Sequence, residues 1–198
     1  MTVASDSRSR ERRTREDVVR TAGRLFAERG YHGTSMRDLG EAVGLLGSSL
    51  YAHVDGKENL LVEVIGRSAA RFDALAAQVR AWEGTPAEQL RRFVDGHVGI
   101  VTETPDEARV FLDEVRFLSG DARRQVLAMR DRYEARYREV LAGGVASGDW
   151  RADLDVAFAA LLILSLLNSI PRWYRPDGPK SPTRVAEDLF SFVLEAIT

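Results

Sequence analysis

The stretch TSMRDLGEAVGLLGSSLYAHVDGK, Thr34 to Lys57, constrains the fold more than any other part of this chain. Ser35 stands where its hydroxyl can accept from the amides of a first helical turn. Asp38, three residues on, can reach back to the cap, so the pair reads as a capping box. Met36, Leu39, Ala42 and Val43 then share one face of a helix of about two turns. Gly44 falls where that helix must stop, the usual place for a glycine at positive φ. Leu45 and Leu46 fill a corner, and Gly47 to His53 forms a second short helix. Leu50 is its inward anchor, while Ser48, Ser49, Tyr51, Ala52 and His53 lie on its flanks and outer face. Two short helices joined by a tight turn, the second carrying hydroxyls and an aromatic, have the layout of a helix-turn-helix that enters a DNA major groove. The same spacing also suits a pair of short helices in a plain bundle.

The rest of the chain is punctuated as helices too. A first helix from about Thr14 to Arg29 turns Val18, Val19, Ala22, Leu25 and Phe26 inward and ends at Gly30. Gly56-Lys57 opens a long helix to about Trp82, with Leu60, Leu61, Val64, Ile65, Phe72 and Leu75 on its apolar face. Pro86 suits a first helical position and starts a helix to about Glu103. Thr104 as N-cap, Pro105 at N1 and Glu107 at N3 restart the chain as a helix to about Leu118. Gly120-Asp121 begins a long helix to about Ala146, striped by Val126, Met129, Tyr133, Tyr137, Val140 and Leu141. Asp153 or Asp155 opens an apolar helix to about Trp173, and Pro182–Ile197 closes the chain. Neither β-alternation nor a fixed-period repeat is visible. The fold class expected is all-α, about nine helices.

Residues 156–167 are apolar on all faces, the mark of a helix covered on every side. In a chain of 198 residues one of those sides suits a second copy, with Val185, Leu189, Phe192, Val193 and Ile197 of the last helix as its companion. Two such helices from each protomer would form a four-helix interface about a two-fold axis; the alternative is a monomer with a well-enclosed central helix.

Composition limits the chemistry. There are no cysteines, so disulfides, thiolate catalysis and Cys-based metal sites are excluded. The three histidines, at 32, 53 and 97, have no metal-ligand spacing, and neither a GxSxG elbow nor a phosphate loop is present. No catalytic residue, metal or cofactor is therefore expected. The N-terminus is arginine-rich with no apolar stretch behind it, which argues against a secretory signal. The run 156–167 is shorter than the about 20 residues of a membrane span. A cytoplasmic protein without membrane contact is expected. The net charge of −2 does not suggest a nucleic-acid binder, but the charge is uneven. Over residues 8–24, seven arginines and three acidic residues leave +4. Arg8, Arg10, Arg12, Arg13 and Arg15 precede or begin the first helix. Such an arm can follow phosphates or enter a minor groove, or it can be a solvated tail.

Residues from about Thr14 to Ile65 resemble the N-terminal domain of the TetR family of bacterial transcription regulators. The likeness rests on LFAERGY (Leu25–Tyr31), TSMRDLGEAVGL (Thr34–Leu45), SLY (Ser49–Tyr51) and GKENLL (Gly56–Leu61). It implies an all-helical homodimer, with an arm over residues 1–13, a three-helix DNA-binding domain over 14–56 and a ligand-binding and dimerisation domain over 57–198. It implies operator contacts from Arg8, Arg10, Arg12, Arg13, Thr34, Ser35, Gly47, Ser48, Ser49, Tyr51, His53 and Lys57, with Lys57 near a phosphate. The sequence departs from the family where Leu46 and Gly47 stand at the usual hydroxyl cap and lysine, and where Ala52, His53 and Val54 replace commoner residues. Gly44–Tyr51 (GLLGSSLY) and Trp173–Ser181 (WYRPDGPKS) resemble the branch that senses acyl-CoA thioesters, including steroid-derived ones. That branch implies an elongated apolar tunnel with cations at its mouth, for which Arg116, Arg172 and Arg175 are candidates. The other candidate ligand contacts are Phe93, His97, Phe111, Tyr133, Tyr137, Leu164 and Asn168, polar or aromatic groups on mainly apolar stretches. Arg130 is a further polar candidate on such a stretch, with solvation or pairing to Asp131 or Glu134 as the simpler reading.

The function expected is a ligand-released repressor of a palindromic operator. An all-helical enzyme that turns over an acyl-CoA, or a family member acting through a protein partner, are the competing readings.

Overall fold

The computed structural model describes residues 15–45, 50–51 and 54–198. Among them are eight α-helices, one 3-10 turn and no strand: α1 Arg15–Arg29, α2 Met36–Val43, α3 Lys57–Arg80, α4 Pro86–Glu103, α5 Pro105–Asp113, the 3-10 turn Val115–Phe117, α6 Gly120–Ser147, α7 Val156–Trp173 and α8 Pro182–Ile197. The predicted inward residues of α1 are all buried. At α2 both halves of the capping box form. Asp38 N–H donates to Ser35 Oγ at 3.1 Å and Ser35 N–H donates to Asp38 Oδ2 at 2.8 Å. Gly44 leaves the helix at φ 69°, a conformation that costs a side-chain-bearing residue and leaves glycine free. Leu50 and Val54 are buried in the core; most of the expected second helix of the motif, Gly47–His53, lies outside the described residues.

α3 joins the N-terminal unit to the rest, packing on α1 at one end and on α4, α5 and α6 beyond. α4 runs through the centre, with Leu90, Phe93, Val94, His97 and Val101 buried. Thr85 and Glu88 cap it reciprocally, a box not read from the sequence. The expected helix from Pro105 to Leu118 is shorter. It stops at Asp113 and tightens into the 3-10 turn, which lets Glu114 and Phe117 both reach Tyr31. Thr104 does not cap α5 with its side chain. Its hydroxyl donates to Ile100 O at 3.2 Å and accepts from Arg71 Nη1 at 2.7 Å instead.

Asp155, not Asp153, caps α7, accepting from Phe158 N–H at 3.0 Å. By length and composition α7 is the one helix among the described residues apolar enough to cross a membrane, with a mean hydropathy of 1.6. It packs on α4, α5 and α6 through Ala160, Ile163, Leu167 and Ile170. Its outer face is not covered: Phe158, Leu161, Leu162, Leu166 and Trp173 are exposed, as is Phe192 of α8. The expectation of burial on every side is thus met on one side only within a single chain.

Candidate DNA-reading segment and effector cavity

The turn between α1 and α2 is held from three directions. Thr34 is buried, and its hydroxyl is 3.0 Å from Gly30 O and 3.3 Å from Leu25 O. Its side chain therefore closes the end of α1. Lys57 Nζ donates to Tyr31 O and to Thr34 O, both at 2.9 Å, and sits 4.3 Å from the centre of the Tyr31 ring. The lysine expected at a phosphate is thus spent on two carbonyls of the turn. From the larger unit, Glu114 accepts from Tyr31 N–H at 3.1 Å, and Phe117 stacks on the Tyr31 ring at 5.8 Å.

Ser35 is exposed, but its hydroxyl is committed to the box, donating to Asp38 Oδ2 at 2.6 Å. That bond and the Ser35 amide hold the Asp38 carboxyl below the usual carboxylate range. Tyr51 is 59% exposed, with a ring free to reach a base or phosphate. Arg8, Arg10, Arg12, Arg13, Gly47, Ser48, Ser49 and His53 lie outside the described residues. Arg15, expected to be part of the basic arm, is instead the first residue of α1 and pairs with Glu63 of α3 at 2.9 Å.

In the larger unit, α3, α4, α5, α6 and α7 line a half-open cavity of about 320 Å³. Of the predicted ligand contacts, His97, Phe111, Tyr133, Leu164, Asn168 and Arg172 line it. Its aromatic wall is built from four helices. Phe72 stacks on Phe111 at 5.2 Å and meets His97 at 4.9 Å and Tyr133 at 5.3 Å. Phe93 and Tyr137 stand behind, stacked on each other at 4.3 Å, and support the Tyr133 ring from outside the cavity. His97 Nδ1 lies 3.2 Å from Tyr133 Oη, both groups buried. Burial pushes the imidazole down to about 3, opposed in part by Asn168, so the ring is neutral. Burial also pushes the Tyr133 hydroxyl up, so it stays protonated.

Arg116 and Arg175 are not at this cavity. Arg116 is exposed on the 3-10 turn, its guanidinium 4.8 Å from the Phe117 ring. Arg175 lies past the end of α7, donating to Tyr174 O at 3.3 Å. Of the proposed cationic mouth only Arg172 is present, paired with Asp113 at 2.6 Å.

The sequence reading missed Phe72 and Met129 as cavity residues and set Arg130, one of its polar candidates, aside as a solvated or paired group. Phe72 and Met129 sit in apolar stripes that look alike whether they face core or cavity. Arg130 is neither solvated nor paired as expected. It is half-buried, donates to Phe111 O and covers the Phe111 ring at 4.6 Å. Burial lowers its pKa, and the Asp113 carboxylate opposes that shift. Among the described residues no group of three or more metal-ligating side chains comes together.

Residues 18–64 match the bacterial regulatory proteins of the tetR family, and residues 83–197 match the tetracyclin repressor-like C-terminal domain. The chain belongs to the TetR family. It is a helix-turn-helix transcriptional regulator, not an enzyme. The HTH-type transcriptional repressor KstR2 of Mycolicibacterium smegmatis is 27% identical over 197 residues, covering 99% of this chain and 96% of the relative. Among TetR-type structures, the regulator PfmR from Thermus thermophilus superposes with a TM-score of 0.81 at 35% identity, over 90% of this chain and 97% of that one. The ketosteroid transcriptional regulator KstR2 of Mycobacterium tuberculosis gives 0.89 at 26% identity, over 93% and 94%. AibR in complex with isovaleryl coenzyme A and operator DNA gives 0.79 at 26% identity, over 90% and 96%.

Proposed function

We propose that this TetR-family chain is a cytoplasmic homodimeric repressor that binds a palindromic operator and is released by an acyl-CoA thioester. Residues 14–56 with the arm over 1–13 read DNA; residues 57–198 dimerise and hold the effector. The observation that carries the reading is the aromatic cavity walled by α5, the helix whose next residues grip the turn before α2. A ligand seated against Phe111, Leu112 and Asp113 acts on the segment that positions the DNA-reading unit.

The dimer is supported by the outer faces of α7 and α8. Phe158, Leu162 and Leu166 form an apolar groove of about 580 Å³ with Phe192 and Ala196. A contiguous exposed apolar face of this kind favours a protein partner, and a two-fold axis through it would present two DNA-reading units to two half-sites. Tyr51, Ser48, Ser49 and His53 would meet the operator, with the arm arginines on the backbone.

The thioester is supported by the likeness to AibR, which binds isovaleryl coenzyme A, and by the cavity. Its space of about 320 Å³ takes an acyl group and leaves the nucleotide outside, where Arg172 can exchange Asp113 for a phosphate. The test is selection of genomic fragments by the purified protein, repeated with a panel of acyl-CoA thioesters. Enrichment of a palindrome that is lost with one thioester is the expected result. A palindrome indifferent to all of them removes the effector class, and no enriched site at low salt removes the operator.

A further inference from the structure

We infer that the effector carries an uncharged oxygen, a keto or hydroxyl group, on the part that enters the cavity, and that this oxygen hydrogen-bonds to His97 Nε2. The inference rests on the cavity being the effector site and adds what its inner wall selects.

His97 is 1% exposed and faces the cavity from α4. Its two nitrogens are unlike: Nδ1 is engaged by Tyr133 Oη at 3.2 Å, while Nε2 is buried with no partner at hydrogen-bond geometry, although the Asn168 side chain is close enough to raise the ring's pKa. Buried polar atoms are nearly always paired, and one left unpaired carries a desolvation cost that a bound partner removes. Phe72 lies 4.9 Å away on one side, and the aromatic pair Phe93–Tyr137 backs Tyr133. The ring is thus flanked by aromatic side chains, with Asn168 near it, while Ser165, Glu134, Asp113 and the two arginines make up the rest of the polar lining. The neutral imidazole suits a neutral oxygen better than a carboxylate. The cavity's cations are engaged elsewhere, Arg130 with the Phe111 carbonyl and Arg172 with Asp113. At about 30 Å³ for each small heavy-atom unit, the space holds roughly ten such atoms, so the oxygen belongs to a short chain or a single ring.

The experiment is calorimetric titration of the full-length protein with acyl-CoAs of about six to eight carbons. Each unsubstituted parent is compared with derivatives carrying a keto or hydroxyl group at every successive position. At the position that meets His97, the oxygenated thioester is expected to bind about ten- to a hundredfold more tightly than its parent. His97→Leu should abolish that preference, so that the oxygenated thioester binds the variant no more tightly than its own parent does; His97→Gln, which retains a donor, should restore part of it. In wild-type protein the side-chain nitrogen resonances of only three histidines need assignment, and the His97 Nε2 signal should shift with the oxygenated ligand alone. If the parents bind and no oxygenated derivative binds better, the inference falls and the thioester reading stands. If no thioester binds but the free oxygenated acids or ketones bind and shift His97 Nε2, the inference stands and the thioester reading falls. If nothing binds in either form, both fall.

Discussion

Lys57 separates two accounts of one side chain. A lysine at this place in the motif invites a phosphate contact, whereas the structure binds it to Tyr31 O and Thr34 O at 2.9 Å each and over the Tyr31 ring. Lys57→Met keeps the stem and removes the charge. Hydrogen bonds to a charged donor contribute about 1.5–3 kcal/mol each, and an exposed cation–π contact about 0.5–1 kcal/mol. The nitrogen is only part-buried, so water recovers some of this. A net destabilisation of about 2–3 kcal/mol follows. For a chain of this size that lowers Tm by roughly 4–12 °C. Thermal unfolding at fixed protein concentration reads that term, and operator titration across a salt series reads the other. The structural account expects a lower Tm, weaker operator binding and an unchanged slope of log K against log salt. A slope reduced by about one per protomer with Tm unmoved would show that Lys57 neutralises a phosphate and would refute the staple.

Three further outcomes are expected. His97 has a folded pKa of about 3 against 6.5 unfolded, so the unfolded chain binds the extra proton between those values. Stability is complete above about pH 6.5 and falls with acidification by up to about 1.4 kcal/mol per pH unit; urea midpoints at pH 7 and pH 5 should show this, and His97→Gln should flatten it. Gly144→Ala drives a Cβ into the Trp150 indole, so that buried ring must move, at a cost of about 1–3 kcal/mol readable by denaturant titration. Phe192→Asp puts a charge into the apolar groove of α7 and α8 and should halve the mass seen by sedimentation, without loss of helicity; an unchanged mass would place the dimer elsewhere.

The helices were legible wherever a side chain near in sequence does the work. Ser35 and Asp38, Gly44, Pro86, Pro182 and the stripe from Val126 to Leu141 act through neighbours one to four residues away, and spacing reports them. What spacing does not report is the use of a polar group across the fold. Thr104 is drawn to Arg71, Thr34 to Leu25 and Gly30, and Lys57 to two carbonyls more than twenty residues away. The cavity was half legible for the same reason. His97, Tyr133 and Asn168 stood out as polar groups on apolar helices, while Phe72 and Met129 carry no mark that separates a cavity wall from a core. Arg116 and Arg175 were attractive for their charge, and only the split of α5 from the 3-10 turn shows that Arg116 leaves the cavity wall for the Phe117 ring.

That split also bears on how the proposed release would work. Phe111, Leu112 and Asp113 wall the cavity, and the next residue, Glu114, is buried with its carboxylate on the Tyr31 amide. Phe117 adds a ring against both Tyr31 and His32. Tyr31 in turn lies under Lys57, at the start of the helix that carries Phe72 into the cavity. The turn before α2 is therefore tied to the cavity wall twice, through α5 and through α3. A ligand that binds best with either helix displaced must favour a different placement of Tyr31, and so of α2 and the segment beyond it. Such coupling is reciprocal: whatever factor the effector takes from operator affinity, the operator takes from effector affinity. A ligand that fills the cavity without moving α3 or α5 would bind tightly and release nothing, so affinity and release must be measured separately.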